Sequence, residues 1–186
     1  MKRGINQLSS WVLVCLVLLL TASLDQATKD ALKVQHVLKT IERHKPGDKG
    51  SAEVTEKELN AYIGYRLKQE ENTLIRHLAV QLVGEDRIQG DLRLDAERLN
   101  LGMILGNDLA FDFKGRIVTR GGAVRLDLEA LSLNKRQVQP VVLDMVLKAM
   151  AMYQGRDIGG VDDWYELPKG VDRVQVDMGK AVLFYV

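Results

Sequence analysis

Side chains able to act as a catalytic base are scarce in this chain of 186 residues, which has three histidines, His36, His44 and His77. The first two lie in a stretch whose apolar residues have helical spacing, and His77 lies beside Arg76 in a segment that alternates like a strand. A hydrolytic triad needs a nucleophile, a base and an orienting group brought together. No motif around these histidines supplies the other two groups. The sequence therefore predicts surface or interfacial histidines, no catalytic residue and a protein that is not an enzyme.

Carboxylates that could work as a pair recur at alternate positions of predicted strands, close to arginines. They are Asp91, Asp95, Glu97, Asp127 and Glu129. A glycosidase needs two carboxyl groups in a cleft, one of them with a pKa raised by burial. The alternation predicts instead that these groups lie on a solvated sheet face, where they pair with arginines across strands.

Patterns for metal or phosphate binding are absent from the sequence. It has no histidine pair at i, i+4 and no EF-hand loop, and its one cysteine is Cys15. Gly102 and Gly106 flank an apolar run, but no lysine follows where a P-loop would place one. We therefore expect neither a metal site nor a cofactor.

The N-terminus has the three parts of a secretory signal, which we assign to residues 1–23. Lys2 and Arg3 precede the ten apolar residues from 11 to 20, and Thr21-Ala22-Ser23 follows as a cleavage region. A membrane-spanning helix needs about 20 apolar residues, so cleavage is favoured, with an uncleaved N-terminal anchor as the alternative. Either outcome predicts an exported protein, periplasmic or otherwise extracytoplasmic, with membrane contact through the N-terminus in the anchored form.

The charge of the mature chain is nearly balanced. Removing residues 1–23 takes two of 26 basic residues and none of 25 acidic ones, which leaves 24 against 25 and a net charge of −1. Nucleic-acid binding normally requires a basic stripe that releases counterions from phosphates. We therefore expect no nucleic-acid partner.

Two N-terminal helices are predicted before the strands begin. Residues 28–44 place apolar side chains on one helical face, and residues 45–51, with a proline and two glycines, predict a linker. Thr55 and Glu58 then form a capping box, flanked by a staple of Val54 and Leu59. We divide the chain into the signal at 1–23, an N-terminal helix with linker at 24–51, and a domain at 52–186.

From Leu74 the apolar period is two, which predicts a series of strands. Residues 84–86 and 120–122 are hairpin turns, so these strands should pair as antiparallel neighbours in a meander. The apolar parity changes between Leu128 and Leu133, which predicts a β-bulge near Ala130.

Two further segments are rich in apolar residues. Residues 101–105 are expected either to fold back onto the core or to form an interaction surface. Residues 140–153 predict a helix with Val142, Met145, Val146, Ala149 and Met152 on one face, buried over much of its circumference. Strands over 164–178 and 181–185 should end the chain.

Together these elements predict an α+β fold, a curved antiparallel β-meander with two or three helices packed on its apolar face. Flexible methionines beside a dry sheet face suit an adaptable groove, although an ordinary core has the same pattern. The candidate groove residues are Leu92, Leu94, Ile104, Phe111, Phe113, Leu126, Leu128, Met145 and Met150.

The order of elements resembles a known family. The segments VTEKELNAYI, QPVVLDMVLKAM and ELPKGVDRVQVDMGKAVL, with paired amphipathic strands between the first two, are similar to the bacterial TULIP-like (LmeA-type) lipid-binding domains of the cell envelope, over roughly residues 52–185. The resemblance implies a helix lying along a curved sheet, with acyl chains held in the trough between them.

From these observations we expect a protein that binds or carries a lipid or other amphiphile in an apolar groove. The alternative is a non-enzymatic envelope scaffold or assembly protein. It would meet a protein partner through residues 101–105 and the helix at 140–153.

Overall fold

The computed structural model describes residues 26–45, 47, 49–70, 74–99, 108–155 and 159–186. The predicted signal at 1–23 and the apolar segment at 101–105, with the groove candidate Ile104, lie outside the described residues. Among the helices within these ranges, none is both long enough and apolar enough to cross a membrane.

Three helices and nine strands are formed within these ranges. The helices are α1 over residues 26–42, α2 over Glu56–Gln69 and α3 over Pro140–Gln154. The strands are β1 (Gly50–Thr55), β2 (Ile75–Gly84), β3 (Arg87–Asp95), β4 (Asp108–Arg120), β5 (Ala123–Leu133), β6 (Arg136–Gln137), β7 (Tyr165–Glu166), β8 (Val171–Asp177) and β9 (Lys180–Tyr185).

Strands β2 to β6 form an antiparallel sheet in chain order, and β7 pairs with the start of β5. The β2–β3 turn places Glu85 and Asp86 at φ 55° and 58°, and the β4–β5 turn places Gly121 and Gly122 at φ 53° and 75°. Positive φ at both central residues gives a two-residue hairpin turn the twist that matches its strands. The predicted meander is confirmed.

The predicted bulge is also found. Lys114 pairs with Ala130 and Gly115 pairs with Leu128, so Glu129 is the extra residue on β5. An extra residue shifts the inward parity of the strand by one, which is why Leu126 and Leu128 precede the bulge on the apolar face and Leu131 and Leu133 follow it.

A second sheet contains three strands in the order β1-β9-β8. Its first strand begins at Gly50, so the last two residues of the predicted linker at 45–51 belong to a strand. The sheet lies against β2, β4 and β5 through β8. Asp86 joins the two sheets, because its N–H donates to the Val176 carbonyl at 3.0 Å and its Oδ1 accepts from the Val176 N–H at 2.9 Å.

Helix α2 begins as predicted, with a complete capping box. Thr55 Oγ1 accepts from the Glu58 N–H at 3.3 Å, and Glu58 Oε2 accepts from the Thr55 N–H at 2.9 Å. Helix α1 is attached to this end of α2 by two ion pairs, Lys33 with Glu58 and Lys57 with Asp30. The capping box therefore also fixes the position of a second helix.

The core lies on the apolar face of the large sheet, in two clusters. The first packs the ends of β3, β4 and β5 against α3, and the second packs β2 and β3 against β8, β9 and Leu59 of α2. The fold class is therefore as expected, an α+β fold with a curved antiparallel meander and helices packed against its apolar face.

Candidate functional site

The candidate site is the apolar face of β3, β4 and β5, which we call the trough. It contains six of the nine residues predicted for the groove, all from these three strands: Leu92, Leu94, Phe111, Phe113, Leu126 and Leu128. Strand register brings them together, since Leu92 pairs with Phe111 and Leu94 with Leu109. One half of the trough is covered by α3 and the other half by the three-stranded sheet.

Under α3 the trough is a packed core. Leu94, Phe111 and Met150 are buried there, and Phe111 is among the largest fully buried side chains of the described residues. Val146 of α3 is also fully buried against this cluster. These candidates contribute to stability through the apolar area they remove from water.

At the junction of the two halves the apolar side chains are less completely covered. Phe113 packs against both clusters and is only partly buried. Leu128, on the α3 side, and Leu126, on the side of the small sheet, are partly buried as well. At this junction, part of the apolar surface of the trough remains uncovered.

Two glycines shape the floor of this junction. A Cβ at Gly90 would lie 2.4 Å from the Phe113 ring and 2.6 Å from the Ala79 carbonyl oxygen, and a Cβ at Gly115 would lie 2.8 Å from Leu126 Cδ1. The side chains of Phe113 and Leu126 therefore rest where side chains at 90 and 115 would stand. Glycine at an inward strand position often marks such a close approach, a signal that sequence reasoning left unused.

Helix α3 has defined ends, and the chain that follows it returns to the helix. Pro140 occupies its first turn, where the missing N–H does no harm, and Gly155 ends it in the left-handed region at φ 63°. Asp144 Oδ1 accepts from the Val161 N–H at 2.8 Å, and Val161 is buried. These contacts anchor the chain that follows α3 back onto the helix.

The rotation of α3 about its axis differs from the prediction. Val146 and Met150 are buried, whereas Met145 and Met152 are 38% and 79% exposed. Val141, four residues before Met145, is 63% exposed. Because α3 is apolar around most of its circumference, the pattern could not fix which side faces the sheet. The candidate Met145 thus lies on the outer face of α3, and the helix is not buried over most of its surface.

The displaced pKa values found in the described residues belong to ion pairs away from the trough. Burial raises the pKa of Asp95, but a hydrogen bond from the Arg98 N–H and the Arg76 guanidinium at 2.7 Å outweigh it and lower the pKa overall. The hydrogen bond that the Lys180 ammonium donates to the Glu53 carboxylate raises the pKa of Lys180. The trough itself is built of apolar side chains, so its chemistry is burial of apolar surface.

Two concavities of mixed polar and apolar lining, of about 430 and 670 Å³, share Asp91 and Asp112, and the smaller one also includes Phe113. These two carboxylates are cross-strand partners, and Asp91 lies 3.0 Å from His77 Nε2. In the described parts of the chain, no group of three or more histidine, cysteine, aspartate or glutamate side chains is arranged to hold a metal ion. Asp91, one of the carboxylates predicted for the solvated face, has a side chain that is 40% exposed, whereas the Asp95 side chain is 10% exposed and pairs with Arg76 across strands.

Comparison with known proteins identifies no relative: no family model, no curated protein and no solved structure matches the chain.

Proposed function

We propose that the protein binds an amphiphile with a single acyl chain in the trough, between β3–β5 and α3. The observation that carries the proposal is the incomplete burial of Phe113, Leu126 and Leu128 where the two halves of the trough meet. These side chains are apolar, they come from the adjacent strands β4 and β5, and they lie between the parts of the trough covered by α3 and by the small sheet. A ligand that removed them from water would gain free energy in proportion to the area it buried.

The magnitude is sufficient for a carrier. Each buried CH₂ contributes about 0.8 kcal/mol, so eight carbons supply about 6 kcal/mol before the costs of association. The acyl chain would pass along α3 beside Leu143 and Leu147, which are partly buried, and the polar end of the amphiphile would remain in solvent outside the trough. In this proposal the chain is exported through residues 1–23 and acts in the cell envelope without catalysing a reaction.

The test is mass spectrometry of an organic extract from the full chain, purified without detergent. We expect an acyl-chain amphiphile to copurify with the wild-type protein and to be depleted from Leu147→Lys. A lysine at this partly buried position can extend its amine to solvent, which keeps the fold while placing a charge at the trough. Met152→Lys adds the same charge on the exposed side of the same helix and should retain the amphiphile.

An empty extract from the folded wild-type chain would contradict the proposal, as would equal amounts from the two variants. The second result would mean that any lipid is held elsewhere, for example by the apolar residues of the N-terminus.

One observation favours a scaffold function as the second candidate. Val141, Met145 and Met152 are exposed along one side of α3, with Lys148 between the last two, and exposed apolar patches commonly mark protein contacts. In that case Met152→Lys would abolish a partner contact, and Leu147→Lys would affect it much less. The same two variants therefore separate the two functions.

A further inference from the structure

The outer edge of β2 is partly occupied by side chains of α2. β2 is the terminal strand of the large sheet, so one side of its backbone has no neighbouring strand. The Asn60 carboxamide makes two hydrogen bonds to Val80 on that side, accepting from its N–H at 2.8 Å and donating to its carbonyl at 2.7 Å. Asn60 thus uses one side-chain amide where a neighbouring strand would use a peptide group.

The next outward position toward the C-terminus is occupied in a similar way. The Leu82 N–H donates to Glu56 Oε2 at 2.7 Å, and the Leu82 carbonyl accepts from the Gly179 N–H at 2.9 Å. Outward-facing backbone groups recur at every second residue of a strand, and the β2 register is regular from His77 to Leu82. Leu78 is therefore the preceding outward position.

At Leu78 the edge is open. Its N–H and carbonyl point away from β3 for the same reason as those of Val80, and no other described residue hydrogen-bonds to them. A donor and an acceptor on one strand position are the groups that pair with an incoming extended peptide.

A groove of about 330 Å³ lies beside this open position, between α2 and β2. Its helix side includes Gly64 and Leu67, and its strand side runs from Ile75 to Ala79. Gly64 leaves the groove unobstructed, because a Cβ built there would meet nothing within 4 Å. The groove thus combines apolar walls with a backbone edge.

Among the described residues that line the groove, the charged side chains are basic. They include Lys68 and Arg76, and none of them is a carboxylate. Arg76 is paired with Asp95 at 2.7 Å, whereas Lys68 makes no ion pair with another described residue. The Lys68 cation at one end of the groove complements a carboxylate on the occupant.

We propose that the α2–β2 groove binds an extended acidic peptide segment of a partner protein. The peptide would pair its backbone with Leu78, leave Val80 to the Asn60 carboxamide, and place a carboxylate near Lys68. Main-chain pairing supplies affinity in this mode of recognition, and the apolar walls select the side chains between. The site is separate from the trough and does not depend on the amphiphile proposal.

The experiment titrates the full chain into a fluorescein-labelled peptide, Thr-Val-Thr-Val-Asp. Fluorescence anisotropy measures peptide binding, and amide hydrogen exchange measures protection of the protein backbone. We expect saturable binding with a Kd below about 1 mM, and slower exchange of the Leu78 amide when the peptide is bound. The Val80 amide is an internal control, because Asn60 already accepts its N–H in the free protein. A peptide with N-methylated valines, which lacks those donors, should bind more weakly.

Two variants locate the site. Gly64→Leu fills the groove and should weaken peptide binding by about tenfold or more. Lys68→Glu should weaken it too, while Lys39→Glu, the same change on an exposed residue of α1, should not. Neither groove variant changes the trough, so both should bind a dansyl-labelled fatty acid as the wild type does.

No saturable binding up to about 1 mM overturns the proposal. So does binding that leaves the Leu78 amide unprotected or that is unaffected by Gly64→Leu. If the dansyl-labelled fatty acid displaces the peptide and itself fails to bind Gly64→Leu, the groove is an acyl-chain site and the peptide proposal is wrong.

Discussion

Several polar side chains of α2 act on the backbone of the protein itself. Glu58 completes the capping box with Thr55, Glu56 accepts the Leu82 N–H, and Asn60 caps Val80. Buried or half-buried polar groups are stable only when their hydrogen bonds are made. The hydrogen bonds of these side chains therefore hold α2 against its neighbouring strands. Leu78 is the next outward position of β2, and no other described residue bonds its backbone N–H or carbonyl.

Substitution of Gly90 tests the floor of the trough. Gly90→Ala should lower the free energy of unfolding by about 1–3 kcal/mol, because the new methyl group overlaps the Phe113 ring and the Ala79 carbonyl oxygen, which belongs to the backbone. Urea denaturation measures the change. Gly64→Ala is the matched control: open space surrounds that position on α2, so the better helix propensity of alanine should stabilise the protein by roughly 0.5–1 kcal/mol. Equal effects at the two positions would contradict the packing described here.

The lowered pKa of Glu58 predicts how the free energy of unfolding depends on pH. Burial raises its pKa, but hydrogen bonds from Lys33 and Thr55 outweigh burial, so the pKa is lowered overall from 4.5. A lowered folded-state pKa stabilises the fold above pH 4.5, and that stabilisation is lost as the pH falls through the folded value. The pKa of Asp30 is also lowered from 3.8, chiefly by the hydrogen bond from Lys57.

We therefore expect the free energy of unfolding to fall as the pH drops below 4.5. Glu58→Gln keeps an acceptor for the capping box but removes this titration, so its acid-induced fall should be shallower. Glu97→Gln removes the same charge from an exposed turn and serves as the control. Parallel pH profiles for wild type and Glu58→Gln would show that the α1–α2 ion pair does not stabilise the fold.

At the scale of elements, α2 depends on its N-cap for its start and for its attachment to α1. Thr55→Ala removes one side-chain acceptor of the capping box and should cost about 1 kcal/mol. Thr40→Ala is a suitable control, since Thr40 lies exposed on α1 and its hydroxyl donates to the His36 carbonyl of its own helix. Its effect should stay within about 0.5 kcal/mol. A denaturation midpoint unchanged by Thr55→Ala would mean that other contacts set the start of α2.

Elements with a strict period could be predicted from the sequence, and elements without one could not. The alternation through β2 to β5 predicted the meander and even the bulge beside Ala130, because side-chain parity is a direct record of which face is buried. The sequence predicts a linker at the start of β1, because the partner strand β9 lies more than a hundred residues away. The apolar pattern also could not predict which side of α3 faces the sheet, because apolar residues surround most of the helix.

The same reasoning applies to the sites. Trough residues such as Leu94 and Phe111 could be predicted from the sequence, because they occupy the alternate strand positions whose side chains face the core. The sequence could not predict which of these residues belong to the packed core and which to the partly covered junction, because that depends on where α3 and β8 lie across the sheet. The α2–β2 groove could not be predicted from the sequence either. The sequence shows Asn60 as an ordinary polar helix residue, and its contact with the sheet edge is evident only once β2 is known to be a terminal strand.

At the scale of the whole molecule, one curved sheet carries two covers on its apolar face. The small sheet closes one end, α3 closes the other, and the partly buried Phe113 lies where the two clusters meet. This arrangement makes the central claim specific: an acyl chain should bind at the junction, and α3 should form one wall of that site.

The most direct test of this claim is a titration of dansyl-labelled undecanoic acid into the full chain and two α3 variants, followed by dansyl fluorescence. We expect saturable, blue-shifted binding to the wild type and to Met152→Lys, whose new charge lies on the exposed side of the helix. Leu147→Lys should bind about tenfold more weakly or not at all, while its thermal unfolding remains cooperative. Absence of saturable binding to the folded wild type, or equal binding by Leu147→Lys and Met152→Lys, would contradict the account.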